Sequence, residues 1–148
     1  MTPTLAHPPT DPAAPAATAY GFHCVIDDKD FAHAVARVTE ALKTEGFGVL
    51  TEIDVQATMR AKLGKEMRRY VIVGACNPRL ASQALEVEPQ IGVLLPCNVV
   101  VRETDEGVLV EAMDPGIMAT LVDRSAIHEV ADEARRLIGD ALGALAAS

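Results

Sequence analysis

Two cysteine-asparagine pairs are the residues best suited to chemistry in this chain. They stand in Gly74-Ala75-Cys76-Asn77-Pro78 and in Leu94-Leu95-Pro96-Cys97-Asn98-Val99. Asn77 suits a helix N-cap and Pro78 the first helical position. Cys76 therefore lies at a helix N-terminus, where free N–H groups and the helix dipole favour a thiolate. Cys97 follows a proline that breaks strand pairing, and such breaks re-aim side chains. If their strands are neighbours, the two thiols can face one pocket. There they could hold a soft metal or a haem, or cycle as a redox pair. The opposing reading is structural. Cys97 shares its alternation with Val93, Leu95, Val99 and Val101, as a core face would, and free cysteine is among the most buried residue types.

Other candidates are weaker. His23 is the one histidine to nominate beside a metal, although next to Cys24 on a regular strand it points to the opposite face. His128-Glu129-Val130-Ala131-Asp132 resembles a fragment of a zinc-protease helix, but Asp132 stands where the second histidine is needed, and the ligands are too few. Arg60, Lys62, Lys65, Arg68 and Arg69 form a basic cluster on an acidic background. They read either as an anion-steering patch or as a solvated helix end. Glu111 falls inside an apolar strand and needs a partner if buried. No phosphate-binding glycine loop, nucleophile elbow or Cys-x-x-Cys is present, so no catalytic residue is assigned.

The elements that must position these residues follow from periodicity. Residues 1–19, with five of the nine prolines before Ala16, read as a disordered tail containing His7. Residues 20–148 read as one domain. Tyr20 to Ile26 alternates as a strand. Asp27 or Asp28 caps a helix carrying Phe31, Val35, Val38 and Leu42, which Gly46 stops. Phe47 to Ile53 is a strand. Asp54 caps a short helix with Val55, Met59 and Leu63 inward and Gly64 at its end. Arg69 to Ala75 is a strand, followed by a helix carrying Leu80, Ala84 and Leu85. Val93 to Arg102 reads as a long strand interrupted by Pro96, hence an edge or bulged strand. Val108 to Met113 returns as its hairpin partner, and a short helical piece spans Ile117 to Val122. A last helix aligns Ile127, Val130, Ala131, Ala134, Leu137, Ile138, Leu142 and Leu145, with Asp132 and Arg136 spaced to pair on its wet face. The order β-α-β-α-β-α-β-β-α predicts a sheet with helices packed on one face.

Composition narrows the function classes. A formal net charge of −8 and five aromatic residues argue against nucleic-acid binding, which needs cations and stacking surfaces. No apolar run approaches the length of a membrane helix, and no secretory leader is evident. Three widely spaced cysteines make no disulfide framework, so a reducing cytoplasm is the simplest home.

The same motifs carry a family likeness. Gly46-Phe47-Gly48-Val49-Leu50-Thr51-Glu52-Ile53-Asp54, Gly74 to Pro78, Leu94 to Val101 and Asp114-Pro115 resemble, in order, the family called domain of unknown function 302. The likeness runs from about Tyr20 to the C-terminus. It implies an α+β domain with a curved, mostly antiparallel sheet of the TATA-binding-protein-like kind, and a homodimer. It supplies no agreed activity. The expectation is a non-enzymatic domain binding a small ligand, cofactor or partner near Cys76, Asn77, Pro78, Cys97 and Asn98. The rivals are a thiol redox or metal/haem-binding protein and an inert interaction module.

Overall fold

The computed structural model describes residues 16–18 and 20–148. Five strands, β2 (Gly21–Ile26), β3 (Gly48–Asp54), β4 (Tyr70–Cys76), β5 (Cys97–Thr104) and β6 (Gly107–Met113), form an open antiparallel sheet. The two-residue β1 (Ala16–Ala17) extends one edge, giving the order β1-β2-β6-β5-β4-β3. The fold is thus α+β, with a curved antiparallel sheet and helices packed on it. Ala16–Ala17 falls within the stretch read as tail and pairs with Phe22 and His23. Residues 1–15 and 19, His7 among them, lie outside the described residues.

Period-two alternation decides which side of the sheet is dry. Cys24 and Ile26 on β2, Val71, Val73 and Ala75 on β4, Cys97, Val99 and Val101 on β5, and Val108, Val110 and Ala112 on β6 are all buried. They meet two long helices, α1 (Phe31–Thr44) and α5 (Ser125–Ala147). All eight apolar residues of the α5 stripe are buried. At about 1.5–3 kcal/mol for each large side chain, this helix is a principal source of core stability. The sequence order of strands and helices is as read, and so is the single helical layer.

Several details differ from the sequence reading, each for a physical reason. Asp30, not Asp27 or Asp28, caps α1, its Oδ1 accepting from the His33 N–H at 3.2 Å. Asp28 is instead engaged by the side chains of His33 and Arg37. Helix α2 (Val55–Leu63) is capped by Asp54 and closed by Gly64 as read, but it buries nothing, and Leu63 is 71% exposed. It links edge strand β3 to its neighbour β4 and so has no core face to cover. In α3 (Pro78–Val87), Leu80 and Ala84 are buried whereas Leu85 faces outward.

The stretch before Cys97 is not strand. Pro89–Leu94 is a 3-10 helix that leaves Val93 exposed, and β5 begins only after Pro96. The proline therefore does not interrupt a ladder, and β5 is a central strand rather than an edge. The sheet's irregularity lies on β3, between Val49 and Thr51. Short helix α4 (Gly116–Leu121) leads into α5, where Arg136 bonds Glu133 and Asp140 rather than Asp132.

Candidate functional site

Strands β4 and β5 are neighbours, and their pairing brings the two cysteine motifs together. Cys97 lies directly opposite Ala75. Cys76, one residue on, ends β4 and is half-buried, while Cys97 opens β5 and is 6% exposed. Asn77 follows as the N-cap of α3, its Oδ1 accepting from the Leu80 N–H at 3.3 Å, and Pro78 takes the first helical position. Chain direction and cap chemistry thus set all four residues at one corner of the sheet.

That corner contains a small apolar cleft. It is lined by Cys76, Asn77, Pro96 and Cys97, by Phe47 ahead of β3, and from the helices by Leu80, Ala84, Met118, Val130 and Ala134. Its volume is about 30 Å³, room for about two waters and well below the roughly 150 Å³ that admits benzene. Haem or a nucleotide-sized cofactor does not fit inside it as it stands. Asn77, at 8% exposed, is the one buried polar side chain among the described residues. With its oxygen committed to the cap, its Nδ2 donors are the polar groups left to a visitor.

The motif residues also hold one another in place. A Cβ on Gly74 would stand 2.7 Å from Pro96 Cγ and closer still to Thr51 Oγ1, so the Gly-Ala-Cys-Asn-Pro glycine is the seat of the Leu-Pro-Cys-Asn proline. Gly46, at φ 85°, turns the chain after α1 in a conformation that side chains avoid, and the Asn77 amide packs over it, 3.1 Å from where a Cβ would be. Gly46 was legible as a helix stop and Gly74 only as part of a strand. Their role as seats for Pro96 and Asn77 required the fold.

Burial pushes the Cys97 thiol up to about 11, and the neighbouring Cys76 adds to the shift. Cys97 is therefore a neutral thiol near pH 7, a poor nucleophile. Cys24 is likewise raised to about 11 by burial, against the pull of Arg37.

The remaining candidates do not join the site. Asn98 is exposed and, opposite Gly74, faces the side of the sheet away from the helices. His23 is on that same outer side, on β2, two strands from β5 and three from β4, so it cannot reach the cysteines. Among the described residues, no three of His, Cys, Asp and Glu gather as a metal-holding group. His128 bonds the Val122 carbonyl. The basic cluster is largely spent: Arg60 pairs with Glu66, Arg68 with Asp105, and Arg69 lies 4.6 Å over the Phe31 ring. Glu111, half-buried on the outer face, is partnered by Arg102 at 2.7 Å.

The comparisons with known proteins bear on these motifs. The family model described as Domain of unknown function DUF302 matches residues 22–145, which include both cysteine motifs. The chain belongs to the DUF302 family. It is similar to a solved structure, the crystal structure of an uncharacterized conserved DUF302 protein from Bacillus stearothermophilus. The two are 25% identical with a TM-score of 0.76, over 84% of this chain and 97% of that one. No curated protein matches the chain. The DUF302 likeness read from the sequence is thus correct, and so is the α+β architecture it implied.

Proposed function

We propose that this DUF302 domain is a non-enzymatic, self-associating binding protein that receives a small ligand, or the tip of a larger partner, in the cleft of Cys76, Asn77 and Cys97. One observation carries the reading: both family motifs converge on a single apolar recess with one buried amide at its edge. The chemistry suited to it is a small apolar or soft group, with an acceptor that can take the Asn77 Nδ2 hydrogens. Pro78 supports this corner through α3, and Asn98 lies on the far side of the same strand pair. Three free thiols suit a reducing, cytoplasmic setting.

Self-association as a homodimer would use the outer face of the sheet. Val25 and Ile53 are exposed there, and Ile72, Val100 and Leu109 are half-buried. Five strands at ~4.8 Å spacing and ~3.3 Å per residue give a face about 20 Å on each side, about 400 Å² in plan and so at the small end of protein contacts. An acidic chain with this distribution is not suited to nucleic acid, and none of its described helices is long and apolar enough to cross a membrane.

A second reading is favoured by the same corner. Gly74, Pro96, Gly46 and Asn77 all have packing or capping duties, as an inert interaction module would require. A redox pair of Cys76 and Cys97 is less well supported, because burial holds the Cys97 thiol neutral. A native mass spectrum of protein purified without chelator or reductant separates the readings. A dimer carrying an added mass that Cys97→Ala removes supports the binding reading. A bare dimer supports the inert module, and a bare monomer removes self-association as well.

A further inference from the structure

The two edges of the sheet are finished differently. β2 is covered in part by β1, which pairs with Phe22 and His23. At the other edge β3 has a neighbour only in β4, so every second residue turns its N–H and C=O outward, with no strand of the sheet to receive them. No residue of β3 is buried, and Leu50 and Ile53 are 67% and 48% exposed. The irregularity between Val49 and Thr51 disturbs the first half of the strand, but Thr51 to Asp54 pair with β4 in regular order. Beside that regular run is a groove between β3 and α1, about 410 Å³ in volume. Phe31 and Val35 from α1 and Val71 from β4 give it an apolar floor, and Ala36 keeps the helix wall low.

Register decides what each side of this edge offers. Glu52 is opposite Val73 and Asp54 opposite Val71, both buried on the helix side, so the two carboxylates face the groove. Ile53, opposite Ile72, faces the outer side of the sheet. Glu40 stands across the groove on α1. Glu40 and Glu52 form no ion pair among the described residues. Asp54 caps α2, and Arg69, the cation of the lining, lies over the Phe31 ring. We propose that the groove and the β3 edge receive an extended segment of a partner protein, which adds a strand beside Thr51 to Asp54 and alternates basic with apolar residues. Its basic side chains lie in the groove, their stems on Val35 and Ala36 and their heads between Glu40 and Glu52. Its apolar side chains emerge on the other face, beside Ile53. Backbone hydrogen bonds at the edge hold the segment whatever its sequence, and the groove selects for positive charge. A second copy of this chain suits the edge less well. Two β3 strands paired antiparallel about Ile53 set Glu52 against Asp54 across the joint, between chains of net charge −8.

The test is fluorescence anisotropy of the full chain with a labelled, end-blocked peptide of alternating lysine and valine. Saturable binding below about 1 mM is expected, and it should weaken with salt. Glu40→Gln combined with Glu52→Gln should weaken it about tenfold, and exchanging the peptide's lysines for glutamate should abolish it. Ala36→Trp, which fills the groove from an exposed helix position, should abolish it too, with circular dichroism melts verifying that each variant is folded. Two further peptides carry N-methyl groups on one or the other alternate set of backbone amides. Methylation of the set that faces β3 should remove binding, and methylation of the set that faces solvent should not. Equal binding of these two peptides overturns the proposal, as does undiminished binding by the double Gln variant. So does a lysine-valine peptide that fails to bind at about 1 mM. If hydrogen exchange instead shows the amides of Thr51 to Asp54 protected only at high protein concentration, the edge is a joint between copies of this chain and the proposal falls.

Discussion

Replacing Gly74 by alanine tests whether the two family motifs are a matched pair. β-Propensity and chain entropy alone favour the change, since glycine inside a strand is worth about 0.5–1 kcal/mol less than alanine. The structure predicts the opposite sign. The new methyl would lie 2.7 Å from Pro96 Cγ on one side and against Thr51 Oγ1 on the other. Thr51 is exposed and can turn away, whereas the Pro96 ring cannot. Gly74 also lies on β4, held on both sides by β3 and β5, so the backbone has little room to retreat. Overpacking of this kind costs about 1–3 kcal/mol. Less the entropic gain, the net loss is about 1–2 kcal/mol, or a fall in Tm of about 4–8 °C for a domain of this size. Thermal and urea melts of Gly74→Ala, Thr51→Ala and the double variant provide the assay. Thr51→Ala alone should be near neutral and should recover part of the loss when combined. A Gly74→Ala protein as stable as the parent would refute the steric account of the motif.

Other outcomes follow from the same structure. Asn77→Ala should cost about 1 kcal/mol through loss of the α3 cap, while Asn77→Asp should cost far less, as urea midpoints would show. Ile138→Ala, in the fully buried stripe of α5, should cost about 2–5 kcal/mol in the same assay. Cys24 and Cys97 both titrate near 11 when folded, so their contribution is whole below the unfolded thiol value near 9 and declines between about pH 9 and 11. At about 1.4 kcal/mol per unit this approaches 3 kcal/mol for each thiol, and Cys97→Ala should flatten part of that alkaline decline in melts taken across the range. On the acid side, the hydrogen bond from His33 holds the Asp28 carboxyl below its ordinary value. Its contribution is present above the unfolded carboxylate range and is lost as pH falls through the folded value, so Asp28→Asn should reduce the slope of stability against pH below about 4.

The parts of the fold legible in the sequence were those governed by one dominant pattern. The α5 stripe is buried at all eight positions because only one face of that long helix meets the sheet. The Asn77-Pro78 start of α3 followed from local cap chemistry, which needs no tertiary context. Elements whose fate depends on neighbours were harder. Val55, Met59 and Leu63 have helical spacing but face no core, because α2 lies beyond the sheet's edge. Leu94-Leu95 is apolar enough for a strand, yet the chain there forms a 3-10 helix and a turn before Pro96. The cysteine motifs were visible as candidates. Their convergence depends on β4 pairing with β5, and the Gly74–Pro96 contact depends on that register; neither is encoded locally.

The most direct measurement of the central claim is an electron-density map of the cleft, from crystals of protein purified without chelator or reductant. The account predicts density other than water between Cys76 and Cys97, beside the Asn77 amide, and its loss in Cys97→Ala. A closed recess, with Cys97 packed against its neighbours and only solvent at the Asn77 Nδ2, would contradict a binding role and leave this corner as the structural lock between the two motifs.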